Sequence, residues 1–413
     1  MKFDTVIIGG GLAGLVCGIR LQQKGLKCAI VSAGQSALHF SSGSFDLLNE
    51  LPDGTVVTNP EEAVASLDKS HPYAKIGTKF ADYAKEAKQL LLASGVEVSG
   101  ESNRNVYRIT PMGTTMPTWL TLADFSTLKN SNDVLGKRIL LVNIAGFLDF
   151  NTKFVADAFE ANGAECRIKS VSLPEFERLR QSPTEMRSAN IARVIENKNT
   201  LNALLSTLKG NSNGSDVVAL PAVFGLSSLE PVKVLKDGLN IPVCLVPTMP
   251  PSVPGIRTQK QLRRVFEQAG GVYMLGDSVM KAETVNGRVE KVYTVNHGDI
   301  ALKADNFVLA TGSFFSNGLK AQMDRVYEPV FGADVDFDAN RNSWYSVSVF
   351  DPQKYRTFGV ATDEQFRIKV NGNVVDNVYA IGSVLSGFDA LQEGCGAGVS
   401  MLTALYVADN LKK

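Results

Sequence analysis

Gly9, Gly11 and Gly14 follow the G-x-G-x-x-G spacing, which is suited to gripping a phosphate. The first glycine permits a tight turn. The second lets the backbone approach a phosphate with no Cβ in the way. The third lets a helix pack close to a strand. The unpaired N–H groups and the positive end of that helix then stabilise the anion. An acidic residue is expected at the end of the next strand, to bind a ribose 2′-OH. That place holds Ser32, followed by Ala33 and Gly34. A hydroxyl bonds ribose less strongly than a carboxylate does, so the adenosine half of a dinucleotide is poorly supported and a mononucleotide has room.

Two later segments carry the same kind of chemistry. The run Phe307 to Leu309 is an apolar strand ending in Ala310-Thr311-Gly312. It resembles the late flavoprotein motif in which small residues let the chain turn beside the cofactor. The run Asn377 to Ser383, continued by Gly387 and by Gly394 to Gly398, resembles the C-terminal flavin segment of the fumarate reductase and succinate dehydrogenase flavoprotein superfamily. That resemblance implies cofactor contacts at Gly312, Gly382, Ser383 and Gly396. It also implies a last helix with its positive end aimed at the flavin ring, where it stabilises the reduced anion. Ser383 stands where many members have an acid. A weak adenosine grip favours FMN, with FAD as the alternative.

The segment Gln35 to Ser44 contains His39, Ser41, Ser42 and Gly43. In flavoproteins of this shape it passes the phosphates and the ring. His39 is then either a ring-side hydrogen bonder or proton carrier, or a loop histidine packed against Phe40. The other two histidines, His71 and His297, are expected on the surface. Arg187, Arg193 and Arg257 are candidates for a phosphorylated substrate, and each is otherwise a solvated or salt-bridged residue. The five cysteines are scattered with no C-x-x-C pair, so no metal or iron–sulfur site is expected.

These residues need elements to position them. Thr5 to Ile8 is a β-branched run suited to a buried strand. Leu12, Leu15, Val16 and Ile19 recur at helical spacing, Gly25 closes that helix, and Cys28 to Val31 forms a second strand. Strand-like runs at 137–144 and 217–220, a helix at 151–162 and a charged helical stretch at 174–208 form a different unit. The prolines Pro247, Pro250, Pro251 and Pro254 look like its exit linker, with a helix from Gln259 to Ala269 beyond. The expected fold is α/β: a Rossmann-type flavin-binding domain, discontinuous in sequence (1–135 and 256–413), with an inserted α/β domain over 136–255 for substrate capping or interaction.

The 413 residues are 44% hydrophobic, enough for two packed cores. Lys plus Arg equals Asp plus Glu, so no net field attracts nucleic acid. No run approaches the ~20 apolar residues that span a bilayer.

With those residues laid out, the whole chain resembles the B-subunit family of anaerobic glycerol-3-phosphate dehydrogenases. The matches are Phe3 to Ile7, Gly34 to Ser44, Pro250 to Val253 with Gly255 to Arg257, Gly312 to Ser316, and Ala380 to Leu385. The resemblance implies FMN, oxidation of sn-glycerol 3-phosphate to dihydroxyacetone phosphate, and electrons passed to the quinone pool in anaerobic respiration. It implies two partners, the A-subunit flavoprotein and the iron–sulfur C subunit, at the cytoplasmic face of the inner membrane. Two other readings stay open: a docking protein without chemistry, and a stand-alone FAD-dependent oxidase.

Overall fold

A computed structural model describes residues 1–411. The first strand, β1 (Lys2–Ile8), has no exposed side chain after Lys2 and lies in the middle of the main sheet. It pairs in parallel with β2 (Cys28–Ser32) on one side, Ile7 facing Ile30, and with Leu302–Leu309 on the other, Ile7 facing Val308. Such a strand buries both faces, which is why the run reads as continuously apolar rather than alternating. Beyond β2 lies Val272–Leu275; beyond Leu302–Leu309 lies Asn373–Ala380, again parallel. This gives the Rossmann-type α/β sheet that the sequence predicts. An antiparallel ribbon, Val279–Val285 and Arg288–Thr294, is appended. Asn286 and Gly287 both have positive φ (50° and 79°), as a two-residue primed turn requires.

The helix α1 (Leu12–Gln23) follows β1 and buries Leu15, Val16 and Ile19. It packs against the closing helix, Gly396–Asn410, and against the helix Val253–Gln268. A second parallel sheet has the order Glu165–Val171, Arg138–Ile144, Val217–Pro221, Val243–Val246. Its side chains form a hydrophobic cluster of their own, which also takes in Ile109 and Leu128 from earlier in the chain.

Two local expectations need correction. The helix after the prolines begins at Val253, not Gln259. Pro254 lies in its first turn, where a missing N–H breaks no helical hydrogen bond. Ser252 caps it by accepting from the Gly255 N–H at 3.1 Å. Part of the apparent linker is therefore helix. The second correction is His71, which is buried at 2% exposure rather than on the surface.

Candidate functional site

The three motif glycines do different work. A Cβ on Gly9 would lie 2.1 Å from the Ala310 carbonyl oxygen, and one on Gly14 would lie 2.0 Å from that of Gly9. Both are demanded by the chain's own packing. A Cβ on Gly11 would meet nothing closer than Ser36 Cβ at 3.7 Å. The space over Gly11 is open, and Gly11 is the N-cap of α1 without a side-chain cap and with no acid in the first turn. A helix end left in that state is a ready acceptor of an anion.

The later motifs come to the same place. Gly382 has φ of +71°. A Cβ on it would lie 2.9 Å from Ala13 Cβ in α1 and 3.4 Å from Ser400 Oγ in the closing helix. Its N–H donates to Thr403 Oγ1 at 3.0 Å. The start of α1, the turn Gly382–Val384 and the early turns of the closing helix are thus fixed together. Gly312 lies beside Ser383, whose hydroxyl would be 3.5 Å from a Cβ on Gly312. Thr311 Oγ1 is buried with no hydrogen-bond partner among the described residues, and a buried polar atom in that state calls for one. The closing helix begins at Gly396 with no side-chain cap on Cys395. Two uncapped helix ends, an open backbone cradle and an orphaned hydroxyl suit a phosphorylated, hydroxyl-rich group such as the ribityl phosphate of a flavin.

Ser32 is buried, and its hydroxyl donates to the Gly34 carbonyl at 3.0 Å. Tyr273 closes the same spot. Its phenol donates to the Gly10 carbonyl at 3.1 Å, and Arg263 covers its ring at 4.6 Å. A Cβ on Gly10 would sit 2.0 Å from the Tyr273 hydroxyl and 2.6 Å from Ser32 Oγ. Ser32, Gly10 and Tyr273 thus pack together at the end of β2. Sequence reasoning misses Tyr273 here, because it is supplied by a strand far along the chain.

His39 lies on a short 3-10 turn, Ala37–Phe40, capped by Ser36. Its carbonyl accepts from the Ser252 N–H at 2.8 Å, and a Cβ on Gly255 would meet the Leu38 carbonyl oxygen at 1.9 Å. The turn is therefore clamped onto the start of the helix Val253–Gln268. Phe40 stacks edge-on to Phe315 at 5.3 Å. Burial first, then repulsion by the Lys260 ammonium, lower the His39 imidazole below its ordinary value, against a raising hydrogen bond from Gln259. The imidazole is neutral at pH 7 and able to take a proton. Gln259 also accepts from Ser36 Oγ at 2.9 Å, which ties the turn over Gly11 to the same helix. Ser41 Oγ accepts from the Gly43 N–H at 3.2 Å. Ser42 is half-buried beside it, and Gly43 packs where a Cβ would run into the Phe125 ring at 1.9 Å.

A pH prediction follows from the sign of that shift. If His39 is the base, activity should persist below pH 6.5 and fall only as pH drops through the depressed value. Lys260→Ala removes a repelling charge, so the acid limb of kcat/KM should move to higher pH. An unmoved limb would take His39 out of the proton step.

Arg257 is nearly fully buried. It pairs with Asp124 at 2.5 Å and donates to the carbonyls of Phe224 and Gly225. Arg187 pairs with Asp149 at 3.0 Å, and Arg193 donates to Asn190 at 2.6 Å, both at the surface of the second sheet's unit. Two other guanidinium groups are less satisfied. Arg108 lies 3.6 Å from Asp46 and Arg356 lies 3.9 Å from Asp389, and the Nε of each is buried without a partner among the described residues. The Asp46 carbonyl accepts from the Gly398 N–H at 2.9 Å, which places Arg108 near the start of the closing helix.

His71 Nδ1 accepts from the Tyr73 N–H at 3.0 Å, and Nε2 lies 3.2 Å from Glu393 Oε2. With Cys395 these groups are close enough to hold a metal ion. Burial first, then the Glu393, Asp389 and Asp46 carboxylates, push the Cys395 thiol well up. That thiol keeps its proton. His297 pairs with Asp277 at 2.9 Å.

Comparison with known proteins gives a match to the FAD binding domain family over residues 4–399. The chain is 45% identical to the B subunit of the anaerobic glycerol-3-phosphate dehydrogenase of Yersinia enterocolitica, over 100% of this chain and 98% of the relative. It is also 45% identical to the protein of the same name in Pectobacterium atrosepticum, over 100% and 99%. Among solved structures, a quinol fumarate reductase chain of E. coli aligns with 99% of this chain and 69% of its own, at 9% identity and TM-score 0.45. A 3-ketosteroid delta1-dehydrogenase of Sterolibacterium denitrificans aligns over 99% of both chains, at 11% identity and TM-score 0.43.

Proposed function

We propose, for a chain that belongs to the family of anaerobic glycerol-3-phosphate dehydrogenase B subunits, that it binds FMN and serves the oxidation of sn-glycerol 3-phosphate to dihydroxyacetone phosphate. The observation that carries this reading is the open cradle over Gly11 beside the Gly382 turn. Gly9 and Gly14 shape the turn, and the N–H groups at Gly11 and just beyond hold the phosphate. Thr311, Gly312, Gly382 and Ser383 line the sugar-alcohol chain, and the helix end at Gly396 faces the ring. Ser41, Ser42 and Gly43 carry the backbone past it. A bound flavin supplies the two-electron acceptor for the alcohol carbon.

This chain's own groups do the rest. His39, neutral at pH 7, takes the C2 hydroxyl proton. Arg108 and Arg356, held only loosely by their carboxylate neighbours at 3.6 and 3.9 Å, are the guanidinium groups offered to the substrate phosphate. Arg257 positions: it fastens the helix under the His39 turn to the Phe224–Gly225 loop. Ser32 and Tyr273 close the adenosine position and favour FMN over FAD. Tyr273→Ala should therefore raise the ratio of FAD to FMN retained on reconstitution, by about tenfold for ~1.4 kcal/mol of relieved clash. An unchanged ratio would remove Tyr273 from the account.

Free cysteines without cluster spacing fit a chain whose flavin passes its electrons on through another chain. The partners are the A-subunit flavoprotein and the iron–sulfur C subunit, delivering to quinone at the cytoplasmic face of the inner membrane. No helix among the described residues is long and apolar enough to cross a membrane. The test is anaerobic mixing of the purified complex with sn-glycerol 3-phosphate. The flavin bound to this chain should bleach as dihydroxyacetone phosphate forms. Bleaching confined to the other flavoprotein would place the oxidation there.

A further inference from the structure

The segment Trp344 to Phe350 carries no charge, and beyond the buried Trp344 it presents its apolar side chains to solvent. Tyr345 is 61% exposed, Val347 101%, Val349 69% and Phe350 96%. The loop is nonetheless held in shape. Buried Gln353 accepts from the Ser346 N–H at 3.0 Å and donates to the carbonyls of Ser348 at 2.8 Å and Asp351 at 3.0 Å. The Tyr355 N–H donates to the Trp344 carbonyl at 2.8 Å, and the Trp344 indole is anchored on the Asp338 carbonyl at 2.6 Å. A buried amide thus props up an apolar tip whose side chains rest on nothing. Such a tip gains nothing from the chain's own folding.

The patch is continuous with the site. Tyr355 contacts Phe314 at 6.1 Å between ring centroids, and exposed Phe315 stacks on exposed Phe40, the neighbour of His39. With ~150–250 Å² per aromatic side chain, the surface from Phe40 to Phe350 offers on the order of 800 Å², one partner's share of a stable interface. Its charges decide between occupants. Lys354 is neutralised by Asp338, Arg341 lies over the Trp344 ring at 4.0 Å and keeps its charge, and exposed Asp351 borders the tip. One guanidinium offset by a neighbouring carboxylate is not the cluster of cations that holds an anionic lipid surface.

We infer that the loop Trp344–Phe350 and the Phe315–Phe40 ridge dock a protein chain that carries the one-electron redox centre this chain lacks. The inference rests on the reading of the protein as one member of an electron-passing complex. Partner binding there covers the edge of the flavin site and brings the acceptor close to it.

The experiment is capture of the separately purified iron–sulfur protein by full-length flavin-loaded chain, unaltered or carrying Phe350→Asp or Val347→Asp. Because both side chains touch little of their own chain, flavin content and Tm should not change. Capture should weaken roughly thirty-fold for Phe350→Asp, as for a central interface anchor. Capture by both variants as strong as by the unaltered chain overturns the docking surface and leaves the complex reading standing. Failure of the unaltered chain to capture the iron–sulfur protein overturns both. Binding to vesicles containing phosphatidylglycerol, or self-association in solution, that Phe350→Asp abolishes would give the patch to a membrane or to a second copy, and would also overturn it.

Discussion

Gly11→Ala is expected to give a folded protein that retains less than about a tenth of the flavin, a loss worth at least ~1.4 kcal/mol of binding. The backbone at Gly11 has φ −81°, which any residue adopts, and the added methyl would meet only Ser36 at ordinary contact distance. The chain itself does not need a glycine there; a phosphate resting on the helix end does. Gly14→Ala is the control, because its Cβ would lie 2.0 Å from a backbone oxygen and should cost soluble protein outright. Flavin content after desalting, read beside Tm, separates the two. Full flavin in Gly11→Ala would detach the phosphate from α1.

Arg257→Met should destabilise the protein by ~3–5 kcal/mol, since it leaves Asp124 buried without its cation. That is a large fraction of the ~5–15 kcal/mol that separates folded from unfolded states. Asp124 Oδ1 already has no hydrogen-bond partner among the described residues, so nothing present can take over. Urea unfolding is the measurement. Unchanged stability with a collapse of turnover would instead put Arg257 against the substrate.

What the sequence revealed was whatever is written in local spacing. β1, α1 and β2 follow from a β-branched run, a glycine turn and a helical period. The end of the strand Leu302–Leu309, at Phe307 to Leu309, and the Gly382 turn are legible for the same reason. What stayed hidden depends on contacts between distant segments. His71 is expected on the surface, yet Glu393, just ahead of the closing helix, meets the imidazole, which is buried. The sequence marks Ser32 as a departure from the acidic pattern but gives no hint that Tyr273 packs beside it. Arg257 reads as a candidate substrate ligand, and nothing in its local sequence announces the buried Asp124 that pairs with it. Gln259 is buried over the His39 turn because the helix starts at Val253, and a proline cluster conceals that start.

The central claim is that backbone amides at the start of α1 hold the phosphate of a flavin mononucleotide. The most direct test is the identity and amount of cofactor released by acid from the purified protein. About one FMN per chain is the expected result, the one-site stoichiometry of a single helix-end cradle. FAD in its place, or no flavin after reconstitution with FMN, would contradict it.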